Sequence, residues 1–197
     1  MRLEPVEKPK GLRMRLAYWG MRRTFGKVMT PMKVLFGRMP EGLRASYEIS
    51  KFELKGIHLE PELHYMLGIL TSQINGCSFC ADLGRSMALR DRLSLEKFNA
   101  LTEYRTSPFF SARERAALAY AEEATRFKRV SDATFEELRK HFTEREIAEI
   151  TWINAVENYY NLLNIPLEIG SDGFCALVQA KSTRAPFGER RTTGTPR

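Results

Sequence analysis

Two helix-start signals constrain this chain more than any other feature. Ser111 is followed three residues later by Glu114, and Thr143 by Glu146. Each pair is a capping box, in which the side chains of the first and last members bond reciprocally to each other's backbone amides. Behind Ser111, the residues Ala116, Ala117, Leu118, Ala119, Tyr120 and Ala121 favour a helix strongly. Behind Thr143, the residues Ile147, Ile150, Ile153 (or the adjacent Trp152), Val156 and Tyr160 recur at helical spacing, until Pro166 should end or kink the segment. Pro61 suits the first turn of a helix over 61–75, with Leu63, Met66, Leu67, Leu70 and Ile74 on its apolar face. Asn75–Gly76 interrupts that helix. A new one should start at or just before Cys77 and run to about Leu89, burying Leu83, Met87 and Phe79. Ser94 can cap a shorter helix through Leu101, and Ser131 one through about His141. No central stretch alternates long enough for a sheet, and the joints are short. The expected fold class is all-α, with neighbouring helices antiparallel.

The two ends of the chain differ from its middle. The net charge is +7, yet residues 1–40 carry ten Lys/Arg against two Glu. The excess of positive charge therefore belongs to the ends. Basic extensions attract anionic partners, but no fingerprint of a specific nucleic-acid reader is present. Within 12–25, Leu12, Leu16 and Trp19 recur at helical spacing among Arg13, Arg15, Arg22 and Arg23. This amphipathic pattern suits an arm packed on the core or on a partner chain, or, less simply, a helix lying on a membrane surface. Further apolar runs follow Pro31 (MKVLF) and Pro40 (GLRASYEISKFEL). Cys175 sits in a short apolar stretch, FCALV, where a structural role is expected, and 183–197 reads as a flexible basic tail. The N-terminus lacks a secretory signal and no run approaches a membrane span, so a cytoplasmic location is expected.

The chemically specific feature is the pair Cys77 and Cys80. Three cysteines and three histidines in 197 residues are not a secreted disulfide framework. Two cysteines three apart at a helix start can share one face. First-turn amides and the helix dipole favour a thiolate there. One thiolate can attack an oxidised substrate, and its neighbour can resolve the product as a disulfide. The usual order in two-cysteine helices favours Cys77 as nucleophile, although exposure decides the matter and both belong to the site. Other readings stay open: two buried apolar side chains, zinc ligation lacking a matching second pair, or iron–sulfur ligation lacking further thiolates. Thioredoxin chemistry is disfavoured by the helical flanks. No metal and no cofactor is expected.

Candidate partners for the thiols are Asp82, His64 and Tyr65. Asp82 could accept a proton or orient a partner, or serve as an ordinary acid complementing the helix dipole. His64 lies one helix back and could act as base or relay, or pack between helices. Tyr65 could donate a phenolic hydrogen bond. Glu157, Asn158, Tyr159 and Tyr160 form a polar run in an otherwise apolar helix, as at a pocket or a subunit interface.

Three blocks carry a family resemblance: TSQINGCSFCADLG at 71–84, SARERAALAYAEEAT at 111–125 and FTEREIAEITWINAVENYYNLLN at 142–164. Through them the chain resembles the carboxymuconolactone decarboxylase and alkylhydroperoxidase D-like family over residues 40–170. The resemblance implies a compact orthogonal helical bundle that works as a homo-oligomer, preceded by a basic extension (1–39) and followed by a short tail (171–197). It also implies a small-molecule substrate and an external thiol or protein reductant. In the peroxidase branch a glutamate twelve residues before the first cysteine and a histidine four after the second relay protons; here those positions hold Tyr65 and Gly84. The leading expectation is a thiol–disulfide oxidoreductase or weak hydroperoxide-reducing protein using Cys77 and Cys80. The alternative is a non-redox member that binds a small molecule or a partner protein.

Overall fold

The computed structural model describes the backbone of residues 1–184 and the side chains as far as residue 180. The predicted basic tail lies largely outside the described residues. Nine α-helices follow in order: α1 (Leu12–Phe25), α2 (Pro40–Gly56), α3 (Pro61–Asn75), α4 (Ser78–Arg90), α5 (Leu95–Asn99), α6 (Ala112–Phe127), α7 (Asp132–Arg139), α8 (Glu144–Asn164) and α9 (Phe174–Arg184), all counted among the described residues. No strand occurs among them.

The cap chemistry places the helix starts. Ser111 and Thr143 each form the complete capping box ahead of α6 and α8. Ser94 and Ser131 cap α5 and α7 through their hydroxyls. Pro61 opens α3, and α8 stops at Asn164, where Pro166 falls in a single 3-10 turn. The MKVLF run forms one π-helical turn, Met32–Phe36.

Helix α3 is the axis of the bundle, packed against α4, α6 and α8. Its apolar stripe explains this: Leu63, Met66, Leu67, Ile69 and Leu70 are all buried. They meet Leu101, Leu118, Leu138, Ile150 and Ile153 in one continuous core. Each such side chain contributes roughly 1.5–3 kcal/mol relative to remaining exposed. One polar junction pins the three long helices. Asn154 of α8 donates to Thr71 Oγ1 on α3 at 2.9 Å and to Thr125 Oγ1 on α6 at 2.7 Å.

Two elements depart from their sequence pattern. Helix α1 leaves Leu12, Leu16 and Trp19 exposed and buries Met14 and Tyr18 instead. Met14, Tyr18 and Met21 form a second stripe, which packs on Val28 and Met32; Tyr18 also donates to the Val6 carbonyl at 2.8 Å. Helix α2 buries only Ser46 and leaves Tyr47, Phe52 and Leu54 exposed. No helix among the described residues is long and apolar enough to cross a membrane.

Candidate active site

The turn between α3 and α4 builds the site. Gly76 ends α3 with φ +77°, a left-handed conformation that costs glycine little. The next amide, Cys77 N–H, reaches back to the Ser72 carbonyl at 2.8 Å, closing a Schellman-type turn. The chain thereby reverses, and Cys77 becomes the N-cap of α4. Its sulfur accepts the Cys80 amide N–H at 3.4 Å.

Cys77 and Cys80 are joined as a disulfide, with Cα atoms 5.4 Å apart. Cys77 is 2% exposed and Cys80 9%. They share an apolar cluster with Val34, Phe79, Ile169 and Phe174. Among the described residues, the one side-chain amide on the pair is that of Asn164, whose Nδ2 donates to Cys80 Sγ at 3.3 Å. The Asn164 Oδ1 is buried and has no hydrogen-bond partner among the described residues.

Phe174, the first residue of α9, packs edge-on against both Phe79 and Phe25 at ring-centroid distances of 6.4 and 6.0 Å. A cleft of about 130 Å³ lies beside it, lined by Phe25, Arg90, Phe174, Leu177 and Val178. Asp82 holds this cover in place. Its two oxygens accept the Phe174 and Cys175 amides at 2.8 and 3.0 Å, capping α9. Asp172 ties the same segment to Thr30, by hydrogen bonds of 2.8 Å, and to Lys27. The Cys175 thiol is held above its usual range, first by burial and then by the charge of Asp82.

The remaining candidates are engaged elsewhere. His64 Nε2 lies 3.9 Å from Glu53 Oε1 on α2, and burial keeps the imidazole below its usual pKa. Tyr65 donates to Asp91 Oδ2 at 2.5 Å, at the C-terminal end of α4; burial and then this bond push its phenol up. Gly84 of α4 faces Ile69 of α3, and a Cβ there would sit 2.9 Å from Ile69 Cγ1. The structure thus groups the two cysteines and places Asp82 on the same helix, while His64 and Tyr65 bond to groups other than the sulfurs.

One ionisable group near the pair stood in the sequence only as part of a polar run. Glu157 of α8 accepts from Ser72 Oγ at 2.5 Å and from Asn161 Nδ2 at 2.7 Å. Burial holds its carboxyl above the ordinary range. Glu53 faces it, and burial together with the Glu157 charge raises Glu53 to about 7. The signal available in the sequence was a polar seam, Asn154, Glu157, Asn158, Asn161 and Asn164, recurring at helical spacing in α8.

An all-helical bundle carrying a CxxC pair at the start of a helix that packs on its central helix defines a class of AhpD-like proteins. The chain belongs to the carboxymuconolactone decarboxylase family, which its residues 40–123 match directly. It is 32% identical to the uncharacterized Escherichia coli protein YnjA over 188 residues, 92% of this chain and 100% of that one. Among solved structures, it is similar to an Agrobacterium tumefaciens protein of unknown function proposed to be the antioxidant defence protein AhpD. That match has a TM-score of 0.65 and 27% identity, over 70% of this chain and 96% of that one. The debrominase Bmp8, in a cysteine-to-alanine variant bound to 2,3,4-tribromopyrrole, matches with a TM-score of 0.77 and 21% identity, over 92% of this chain and 97% of that one.

Proposed function

We propose that this protein is a thiol–disulfide oxidoreductase that reduces small organic hydroperoxides through Cys77 and Cys80. The observation that carries the reading is the N-cap position of Cys77, whose sulfur accepts the Cys80 amide. That amide and the helix dipole stabilise a negative sulfur, so Cys77 is the better leaving thiolate when the disulfide opens. Cys80 is the more exposed residue of the pair and is the one to meet the reagents. In the reduced protein Cys80 gives up its proton as its sulfur attacks the peroxide, forming a sulfenic acid; the leaving alkoxide takes that proton and departs as the alcohol. The Cys77 thiolate then attacks the Cys80 sulfur, forming the disulfide and expelling hydroxide, which takes a proton and leaves as water. A dithiol reductant of the cytoplasm restores both thiols by two exchange steps and is itself oxidised to a disulfide. The open Asn164 Oδ1 gives the substrate hydroxyl an acceptor beside Cys80.

The test is stopped-flow oxidation of the reduced protein by cumene hydroperoxide. Cys80→Ser should fall to the uncatalysed background. Cys77→Ser should react once and stop at the sulfenic acid. Wild-type turnover matched by both variants would sink the reading. Bmp8 is a debrominase, so a brominated pyrrole is the second substrate class to offer the reduced pair.

One observation favours a non-redox reading instead: the pair is almost completely covered, and Tyr65 and Gly84 occupy the relay positions. On that reading the thiols stay inert to mild peroxide and the site serves a bound small molecule or partner protein. Mass mapping of the Cys77–Cys80 disulfide after reduction and mild reoxidation separates the two.

The same proposal includes self-association. Phe52 of α2 and Trp152 of α8 stack edge-on at 4.9 Å, yet are 41% and 40% exposed. Tyr159, two turns along α8 from Trp152 and on the same side of the helix, is exposed as well. A second copy of the chain is the occupant that the family resemblance supplies. Light scattering should therefore report an oligomer, and Trp152→Glu should shift it to the monomer by placing a charge in the contact. A monomeric wild type would refute this.

A further inference from the structure

Ionisable groups that the sulfur chemistry leaves unused meet along one face of α3. His64, Gly68 and Ser72 follow one another at i, i+4 and i+8 on that helix. Glu157 enters from α8 over Gly68, where a Cβ would stand 3.4 Å from its Oε2. Its Oε1 is held by Ser72 and Asn161. No Lys or Arg hydrogen-bonds to it among the described residues. The titratable groups around it are Glu53 on α2 and, beyond Glu53, His64 on α3; Tyr160 on α8 also faces Glu53. Two carboxyls that repel each other without a cation cannot both ionise cheaply, so a proton on one of them is favoured.

Glu157 is linked to the cysteine turn through Ser72, and it shares a face of α8 with Asn164. The hydroxyl of Ser72 donates to Glu157, and the carbonyl of the same residue receives the Cys77 amide. Along α8, Glu157, Asn161 and Asn164 lie on one face at i, i+4 and i+7. Asn161 accepts from Asn75 at 2.8 Å at the end of α3, and Asn164 reaches Cys80 Sγ.

Building on the thiol–disulfide reading above, we propose that Glu157, bonded to Ser72 at the turn that carries Cys77, is a redox-linked proton site for the Cys77–Cys80 pair. When a dithiol opens the disulfide, two electrons pass to the pair and two protons leave the reductant. One proton ends on Cys80. Cys77 remains a thiolate at the helix start, and its new negative charge raises the proton affinity of the nearby carboxyl, which takes the second. On reoxidation by a hydroperoxide, the pair closes, the alcohol leaves, and the carboxyl proton converts the expelled hydroxide to water. Glu157 acts through Ser72, so it is a positioning residue. It supplies the protonic function for which positions 65 and 84 have no suitable side chain.

The experiment is the redox equilibrium of the full-length protein with dithiothreitol, read by alkylation and mass spectrometry from about pH 6 to about pH 9, on either side of the free thiol range. The wild type should show an inflection near neutral pH. Glu157→Gln keeps an oxygen for Ser72 but cannot titrate; it should lose the inflection and shift the equilibrium about tenfold at neutral pH, the equivalent of one pKa unit of coupling. Glu53→Gln removes only the neighbouring charge and should move the inflection to lower pH. If Glu157→Gln does not fold, an unmoved Glu53→Gln inflection overturns the proposal by itself. A Glu157→Gln profile superimposable on wild type, with both disulfides cycling, overturns the proton site and leaves the redox reading intact. A wild type with no reducible Cys77–Cys80 disulfide overturns both.

Discussion

A histidine introduced at position 84 is expected to destabilise the protein rather than restore a relay. Gly84→His should lower stability by about 3 kcal/mol, the upper range for overpacking a tight core contact, without raising hydroperoxide turnover. The cause is the α3–α4 crossing. A Cβ at position 84 would lie 2.9 Å from Ile69 Cγ1 and 3.6 Å from its Cδ1. Ile69 is 1% exposed, so it cannot relieve the contact by turning into solvent. Even Gly84→Ala carries this clash. Its gain in helix propensity is about 1 kcal/mol, which a forced shift of a buried isoleucine outweighs by a similar amount. Urea unfolding should therefore place Gly84→Ala below wild type by about 1 kcal/mol and Gly84→His lower still. The double variant Gly84→Ala/Ile69→Val, which shortens the obstructing side chain, should recover part of the loss. A Gly84→His protein as stable as wild type and faster with peroxide would show that the crossing has room, and that the relay is merely missing. On the expected outcome, the absent histidine follows from how closely α4 approaches α3.

This crossing also marks the limit of what the sequence conveys. Helix starts were legible because capping is local: Ser111 with Glu114 and Thr143 with Glu146 act within one turn, as do Pro61 and Ser131. The Cys77 N-cap belongs to the same class of information, being fixed by Gly76 and three following residues. Which face a helix buries is less local. In α1 two apolar stripes compete. The exposed one (Leu12, Leu16, Trp19) looks as strong as the buried one (Met14, Tyr18, Met21) until Val28 and Met32 arrive from the next turn of chain. Asp82 reads as a first-turn acid of α4, yet its oxygens cap α9, more than ninety residues further on. The meeting of Glu53, His64 and Glu157 is wholly tertiary. It requires α2, α3 and α8 to converge, and it requires Gly68 to leave the gap that Glu157 enters. No spacing along the chain encodes that convergence, although the polar seam of α8 shows that something other than core faces α3.

Loss of the Glu149 carboxylate is expected to have an effect of similar size, from a buried polar junction rather than a packing contact. Its side chain is 3% exposed, and Oε2 accepts the His58 and Leu59 amides at 2.9 and 3.1 Å. Oε1 accepts from Arg145 Nε at 2.7 Å and faces His58 Nδ1 at 3.1 Å. Arg145 in turn donates to the Gly56 carbonyl at 2.6 Å, so one carboxylate fastens the α2–α3 joint to α8. Glu149→Ala leaves two amides without a partner and should cost about 3 kcal/mol in urea unfolding at neutral pH. Burial alone would raise the Glu149 pKa, but the bonds from Arg145, from the His58 backbone and side chain and from Leu59 outweigh it and hold it below the carboxylate range. A folded-state pKa below the unfolded value, about 4.3, means the contribution is fully present above that value. It is lost as pH falls through the lower, folded one. The stability gap between wild type and Glu149→Gln should therefore stay constant above about pH 5 and narrow only in stronger acid. A gap that closes near neutral pH would refute the assignment and point to a histidine instead. The joint also sets where α2 lies, and Glu53 stands one turn before its end. Glu149→Ala should accordingly blunt the neutral inflection in the dithiothreitol equilibrium even though it touches neither sulfur nor Glu157. An undiminished inflection in that variant would mean that α2 is held over Glu157 by some other contact.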